Sequence, residues 1–244
     1  MKATSYILVA ALTFIGFLIV FAPVSPVWSM VRDDVSKAVP ELNVLSLSGS
    51  IWSGKGEVQF RQFPPSQVTW TISPFDLFGR TGRINITGVG EGHSLNAEAV
   101  ITFTEGHIEI FEGKFNNIYI SSISEPYGLT FSGDLSINDI SLTAKKDGIT
   151  DAHGTARWSG GRIFVAGKTQ PLDLPPLDGK LSFEKQFLIL DVTFQQLSVL
   201  RISLNKHGWA AIAIKGRFFD IANLARPDGT DPDETILLLE EKIL

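Results

Sequence analysis

Leu95-Asn96-Ala97-Glu98-Ala99-Val100-Ile101-Thr102-Phe103-Thr104 decides the fold class. Leu95, Ala97, Ala99, Ile101 and Phe103 fall on one side of an extended chain, and Asn96, Glu98, Thr102 and Thr104 fall on the other. A period of two is the signature of a strand with one face buried and one face wet. Outward from this stretch the same scheme recurs. Val68, Trp70 and Ile72 alternate with Gln67, Thr69 and Thr71; Leu188, Leu190, Val192 and Phe194 alternate with Asp191, Thr193 and Gln195; Leu200, Ile202 and Leu204 repeat it.

Turn formers interrupt these runs at short intervals: Gly88 to Gly92, Gly106, Gly113, Asn116-Asn117, Gly133-Asp134, Asp147-Gly148 and Gly160-Gly161. Strands separated by tight turns, with few helical stretches between them, predict an antiparallel meander from about Leu42 to Gly216. Short helices are expected at Ser73 to Phe78, Phe218 to Ala225 and Asp233 to Lys242. The last carries Pro232 and acidic residues at its start, a favourable helix opening.

Upstream the pattern changes. No formal charge occurs between Lys2 and Arg32, and Tyr6 to Val24 is almost wholly apolar. A bilayer core needs about 20 such residues in a helix, so the run is long enough to span. Lys2 and the amino terminus are positive, whereas Arg32 is followed by Asp33 and Asp34. The positive-inside rule leaves the N-terminus in the cytoplasm and exports the remainder. Ala22-Pro23-Val24 and Val27-Trp28-Ser29 are poor cleavage sites, so an uncleaved anchor is expected over a signal peptide. The expected organisation is an anchor over 1–28, a linker with a short helix over 29–43, and an exported β-rich domain over 44–244. Gly49-Ser50-Ile51-Trp52-Ser53-Gly54 is echoed by Gly154-Thr155-Ala156-Arg157-Trp158-Ser159-Gly160, which suggests two related β-layers with a boundary near 147–151. Coincidence in a Gly- and Ser-rich chain accounts for the echo equally well.

Composition removes several classes of function. Of 244 residues, 44% are hydrophobic and 19% charged, which suits a packed domain and excludes wholesale disorder. A net charge of −5 without basic clusters argues against nucleic acid. The absence of cysteine excludes disulfides, thiolate metal sites and a cysteine nucleophile.

The chemical motifs are all incomplete. Gly167-Lys168-Thr169 lacks the upstream glycine of a phosphate loop, which is Arg162 here, and Gln170-Pro171 stands where a helix must begin. Gly88-Val89-Gly90-Glu91-Gly92 lies between strands and is a turn. His93, His107, His153 and His207 show no metal-ligand spacing. Asp151-Ala152-His153 is a polar loop pair, and no GxSxG elbow exists. The expectation is a non-enzymatic protein without catalytic, metal or cofactor-binding residues.

Leu47-Ser48-Gly49-Ser50-Ile51-Trp52-Ser53-Gly54-Lys55-Gly56 resembles the opening signature of the type II secretion system protein N family, in which glycine, threonine, a hydrophobic residue, Trp-Ser-Gly and a basic residue precede an alternating strand. Gly49, Trp52, Ser53 and Gly54 match it, Ser50 stands for the threonine, and Lys55 is the basic position. Trp70 in Val68-Thr69-Trp70 is similar to the family's second tryptophan-bearing strand. The resemblance implies a single-pass protein of the bacterial inner membrane with its C-terminal domain in the periplasm. It further implies an accessory role in type II protein secretion, exercised through other secretion-system proteins. The five matching residues are expected to be structural. The fold class is therefore mainly β, with one N-terminal transmembrane helix followed by an antiparallel, curled or sandwich-like β-domain and short C-terminal helices. An apolar-ligand or lipid-binding protein with an open β-groove, as in bridge-like lipid-transport proteins of the bacterial envelope, is the alternative. Alternation alone does not say whether the apolar face is covered.

Overall fold

The computed structural model describes residues 13–14, 16–17, 21–74 and 76–242. Of the expected anchor over Tyr6 to Val24, residues 6–12, 15 and 18–20 lie outside the described residues. Among the described residues no helix is long and apolar enough to cross a membrane.

The alternating stretches are strands, and nearly all belong to one ladder. Following helix α1 (Val24–Ala38), the chain forms β1 (Leu42–Gly49), β2 (Ser53–Phe60), β3 (Ser66–Ile72), β4 (Gly82–Gly90), β5 (His93–Ile101) and β6 (Glu105–Phe115). It continues through β8 (Leu135–Lys145), β9 (Gly148–Trp158), β12 (Leu177–Glu184), β13 (Phe187–Phe194), β14 (Leu197–Asn205), β15 (Trp209–Lys215) and β16 (Thr235–Lys242). These make a 13-stranded sheet in which spatial order follows chain order. Every neighbouring pair is antiparallel; short hairpins join most of them, and longer connections join β6 to β8, β9 to β12 and β15 to β16. The sheet is open, because β1 and β16 are its two edges and do not meet. The stretch 147–151 is the Asp147-Gly148 turn and the start of β9, inside this continuous ladder.

Thirteen strands exceed the roughly ten that a twisted open sheet sustains without curling or flattening. Register shifts at Val44/Ser46, Asn96/Ala97, Asn138/Ser141 and Val192/Thr193 add local bends. A second, three-stranded sheet of β7 (Leu129–Phe131), β10 (Gly161–Val165) and β11 (Leu172–Leu174) forms with helix α2 (Asn117–Ser124). The Tyr119 ring of α2 packs against His93, tilted by 40° with centroids 4.2 Å apart, and Phe131 of β7 meets Trp158 edge-on at 6.2 Å. This small unit therefore caps one end of the central strands.

Three elements depart from expectation. Asp233 to Lys242 is not a helix; β16 occupies it from Thr235. The helix-opening residues form a turn instead, with the Asp233 amide donating to Asp231 Oδ1 at 2.8 Å. Ile236-Leu237-Leu238-Leu239 then satisfies the open backbone of β15, a ladder that outweighs a modest helical preference. The β-domain consequently runs to Lys242, past Gly216. Asn116-Asn117 is no simple turn: Asn116 Oδ1 accepts from the Tyr119 amide at 2.9 Å and caps α2. Gly113 lies inside β6, where a Cβ would sit 2.5 Å from Ile137 Cγ1. The expected helices at Ser73 to Phe78 and Phe218 to Ala225 correspond to a 3₁₀ turn at Asp76–Gly79 and to α3 (Gly216–Ile221).

The core is sparse. Val199 and Ala222 are buried where α3 packs against β14, and Ala97, Ala99 and Ala152 are buried in the central strands. Most other apolar strand residues are only half-buried.

Candidate functional site

Gly49 to Gly56 builds the β1–β2 hairpin. Gly49 and Gly54 are its closing pair, with Ser50 to Ser53 as the loop. Gly49 has φ +98°, and a Cβ there would lie 2.6 Å from the Ser53 carbonyl oxygen, so glycine is required twice over. Ser50 Oγ accepts from the amides of Trp52 and Ser53 at 3.3 and 3.1 Å. A Cβ on Gly54 would lie 2.4 Å from the Trp70 ring, which occupies that space. The Trp70 indole N–H donates to the Ile51 carbonyl at 3.2 Å, binding the third strand to the loop. Trp52 is half-buried at the loop, and its carbonyl accepts from the Ile72 amide at 2.6 Å. The structure thus gathers Gly49, Trp52, Ser53, Gly54 and Trp70 at one corner. The same corner meets the chain ahead of α1: Ile51 N–H donates to the Ala22 carbonyl at 3.0 Å, and Pro23 bridges Ser50.

The echo copy uses a different arrangement. Trp158 closes β9, and its ring fills the space a Cβ on Gly133 would need, at 2.4 Å from Nε1. Trp158, the counterpart of Trp52 in the echo, lies against a glycine as Trp70 does, but the indoles of Trp70 and Trp158 differ. Trp70 donates to backbone, whereas Trp158 Nε1 is buried without a hydrogen-bond partner.

Sequence reasoning missed one polar constellation. Ser66 Oγ lies 2.6 Å from the Nε2 of buried His93, beneath Phe115 and Tyr119. Burial pushes the Tyr119 phenol above its ordinary pKa. The pair superficially resembles a nucleophile and its base. However, His93 Nδ1 has no partner, so no third group orients the ring toward Ser66. A signal existed in the strand pattern, since His93 and Ser66 both stand on apolar sides of their strands. The remaining candidates are solvated: Asp151 and His153 sit 3.5 Å apart, both mostly exposed, and His107 shares a 3.0 Å hydrogen bond with Thr143. Among the described residues no three metal-ligating side chains cluster.

What the register does assemble is a surface. Trp70 opposes Ile86, which opposes Ala97, then Ile110, then Ile140. Leu181 opposes Leu190, which opposes Ile202, then Ile212, then Leu239. Opposed residues share a face, so these rows make one apolar face. From β3 to β15 it carries no Asp, Glu, Lys or Arg. The opposite face holds the ion pairs, such as Arg83 with Glu98 at 3.4 Å and Arg157 with Asp178 at 3.2 Å. Being exposed, each is worth about 0–1 kcal/mol. At the end of the apolar face away from α2, Ile149, Phe183 and Leu204 line an open cavity of about 610 Å³, with Lys206 and His207 also in its wall. Ile101, Ile108 and Leu239 are each about half exposed, so no layer of the described chain covers that face there.

The chain matches a family model described as "Type II secretion system (T2SS), protein N" over residues 40–240. It matches no curated protein and no solved structure.

Proposed function

We propose, from the premise that the chain belongs to the type II secretion system protein N family, that it is anchored in the inner membrane and acts in the periplasm by binding other secretion-system proteins. The observation that carries this reading is the apolar face. Monomeric soluble domains rarely leave a large contiguous apolar surface uncovered; such a surface marks an interaction site. A secretion accessory whose apolar face is left open at Ile101, Ile108 and Leu239 by the described chain has the surface that docking demands.

The apolar run from Tyr6 to Val24 and the charge asymmetry across it support the placement. The corner built by Gly49, Trp52, Gly54 and Trp70 supports it too, since the chain leaving that segment is bonded to the hairpin at Ala22 and Pro23. These family residues are structural on this reading: they set the first three strands against the membrane exit. A second reading rests on a different feature. An uncharged aliphatic face with a cavity lined by Ile149, Phe183 and Leu204 suits lipid acyl chains as well as protein.

Photo-crosslinking residues placed at Ile86, Ile110 and Ile202 in the full chain, in cells carrying the secretion machinery, separate the readings. Protein adducts are expected. Adducts confined to lipid would replace the first reading with the second, and quenching by water alone at all three positions would sink both. A periplasm-active reporter fused after Leu244 should be active; activity of a cytoplasmic reporter there would overturn the topology.

A further inference from the structure

The two strands at the C-terminal end depart from the alternation that governs the rest of the sheet. Trp209-Ala210-Ala211-Ile212-Ala213-Ile214 and Ile236-Leu237-Leu238-Leu239 are apolar at every position. Continuous apolar runs belong to strands covered on both faces. Here they form the last pair of an open sheet, and β16 has a neighbour on one side only. Leu237, Leu238 and Leu239 are 41%, 57% and 52% exposed. A long, hydrophobic, unpaired edge is a template for another strand.

We propose that β16 pairs antiparallel with β16 of a second copy of this chain, about a two-fold axis through Leu238. The sequence of the edge selects both occupant and register. With Leu238 opposite itself, Leu237 faces the second copy's Leu239 and the apolar faces join without a break. Glu240 and Glu241 then fall opposite Ile236 and Thr235, and Lys242 lies toward Glu234, so no like charges oppose. Centring on Leu239 places Glu241 against Leu237 on the apolar face. Centring on Leu237 sets Glu240 against Glu234. A two-fold axis between residues puts Leu238 opposite Leu239, which turns one copy's apolar face to the other side. An isologous contact of this kind is closed, ending in a dimer and not a fibre. Its axis stands perpendicular to the sheet at the joint, so a sheet that curls in one sense continues curling through the joint and returns both N-terminal ends to the same side. The proposal stands on the sheet edge and is independent of what occupies the apolar face.

The chain has no native cysteine, so single cysteines report the register cleanly. Directly opposed residues have Cα atoms about 4.5–5.5 Å apart, within disulfide range; diagonal neighbours at about 7–8 Å are outside it. In membranes containing the full chain, oxidised Leu238→Cys should give a disulfide-linked dimer, with Leu237→Cys at least about tenfold less efficient. Mixing Leu237→Cys with Leu239→Cys should restore the bridge. Leu238→Lys, which sets two ammonium groups face to face, should convert the detergent-solubilised dimer to monomer without moving the melting of the β-domain. Equal crosslinking at Leu237 and Leu238, or a wild-type chain that sediments as monomer at every concentration, would overturn the proposal. So would a dimer indifferent to Leu238→Lys.

Discussion

The two edges of the sheet are managed in opposite ways. At β1 the backbone is fastened at both ends: Gly49 closes the hairpin in a left-handed conformation, Pro23 bridges Ser50, and the Leu42 amide donates to Val39 at 3.1 Å. Arg61 is hydrogen-bonded to Glu41, which raises its pKa, and a bulge at Val44/Ser46 breaks the regular edge. Bulges, charges and a covering helix are devices that keep an edge from recruiting strands. β16 has its bulge at Ile236 and its charges at Glu240, Glu241 and Lys242, but between them Leu237-Leu238-Leu239 runs regular and exposed, and no described element covers its free side. One edge is built to stay closed and the other to be met.

That contrast predicts where substitutions hurt most. Trp70→Ala should have the largest effect, because it empties the space over Gly54 and removes the bond to Ile51. With the ring only half-buried, about 3 kcal/mol is expected, the lower end for a large aromatic. Urea denaturation of the full chain in detergent measures it. A loss below about 0.5 kcal/mol would show that the β1 corner is not fastened by this ring.

Gly49→Ala comes next. Its Cβ meets backbone at 2.6 and 2.7 Å, and the residue holds φ +98°, so clash and strain add to about 2–3 kcal/mol. Gly229→Ala, near the other edge, is the matched comparison. Gly229 also has a positive φ, +79°, but nothing lies within 4 Å of its Cβ position. Only the conformational preference is lost there, about 1 kcal/mol. If the two substitutions shift the urea midpoint equally, the difference between the edges is one of conformation alone.

The sheet was legible in the sequence because its alternation is local: Val68 to Ile72, Leu95 to Ile101 and Leu188 to Val192 all carry the period of two that the register confirms. Where the deciding interaction was distant, reading failed. Ile236 to Leu239 has no period, and its strand character comes from β15, which local helix signals at Pro232 and Asp233 conceal. The expected division between an anchor over 1–28 and a linker over 29–43 falls inside α1, where Pro26 sits in the first turn and its missing N–H has no partner to lose. Gly113 looked like a turn, yet it is small because Ile137 crosses it. The family corner was legible as a motif, but its geometry depends on Trp70, sixteen residues beyond Gly54. Ser66 and His93 meet through β4, which neither residue announces.

The smallest effect is expected at the turn leading into β16. Arg217 donates two hydrogen bonds to Asp233, both 2.7 Å, and these hold the Asp233 carboxyl below its ordinary value. A carboxylate with a depressed folded-state pKa binds fewer protons folded than unfolded, so it stabilises the turn above the unfolded value of about 3.9. That contribution disappears as the pH falls through the depressed value. Asp233 is exposed and solvent screens the pair, so the effect is confined to the local opening of β16. Hydrogen exchange at the β16 amides should therefore quicken slightly, relative to those of β2, between pH 5 and 3 once intrinsic rates are divided out. Asp233→Asn should remove that relative change and leave the exchange of β2 untouched. A wild-type β16 whose corrected exchange does not respond to pH would show that β15 alone holds the free edge in place.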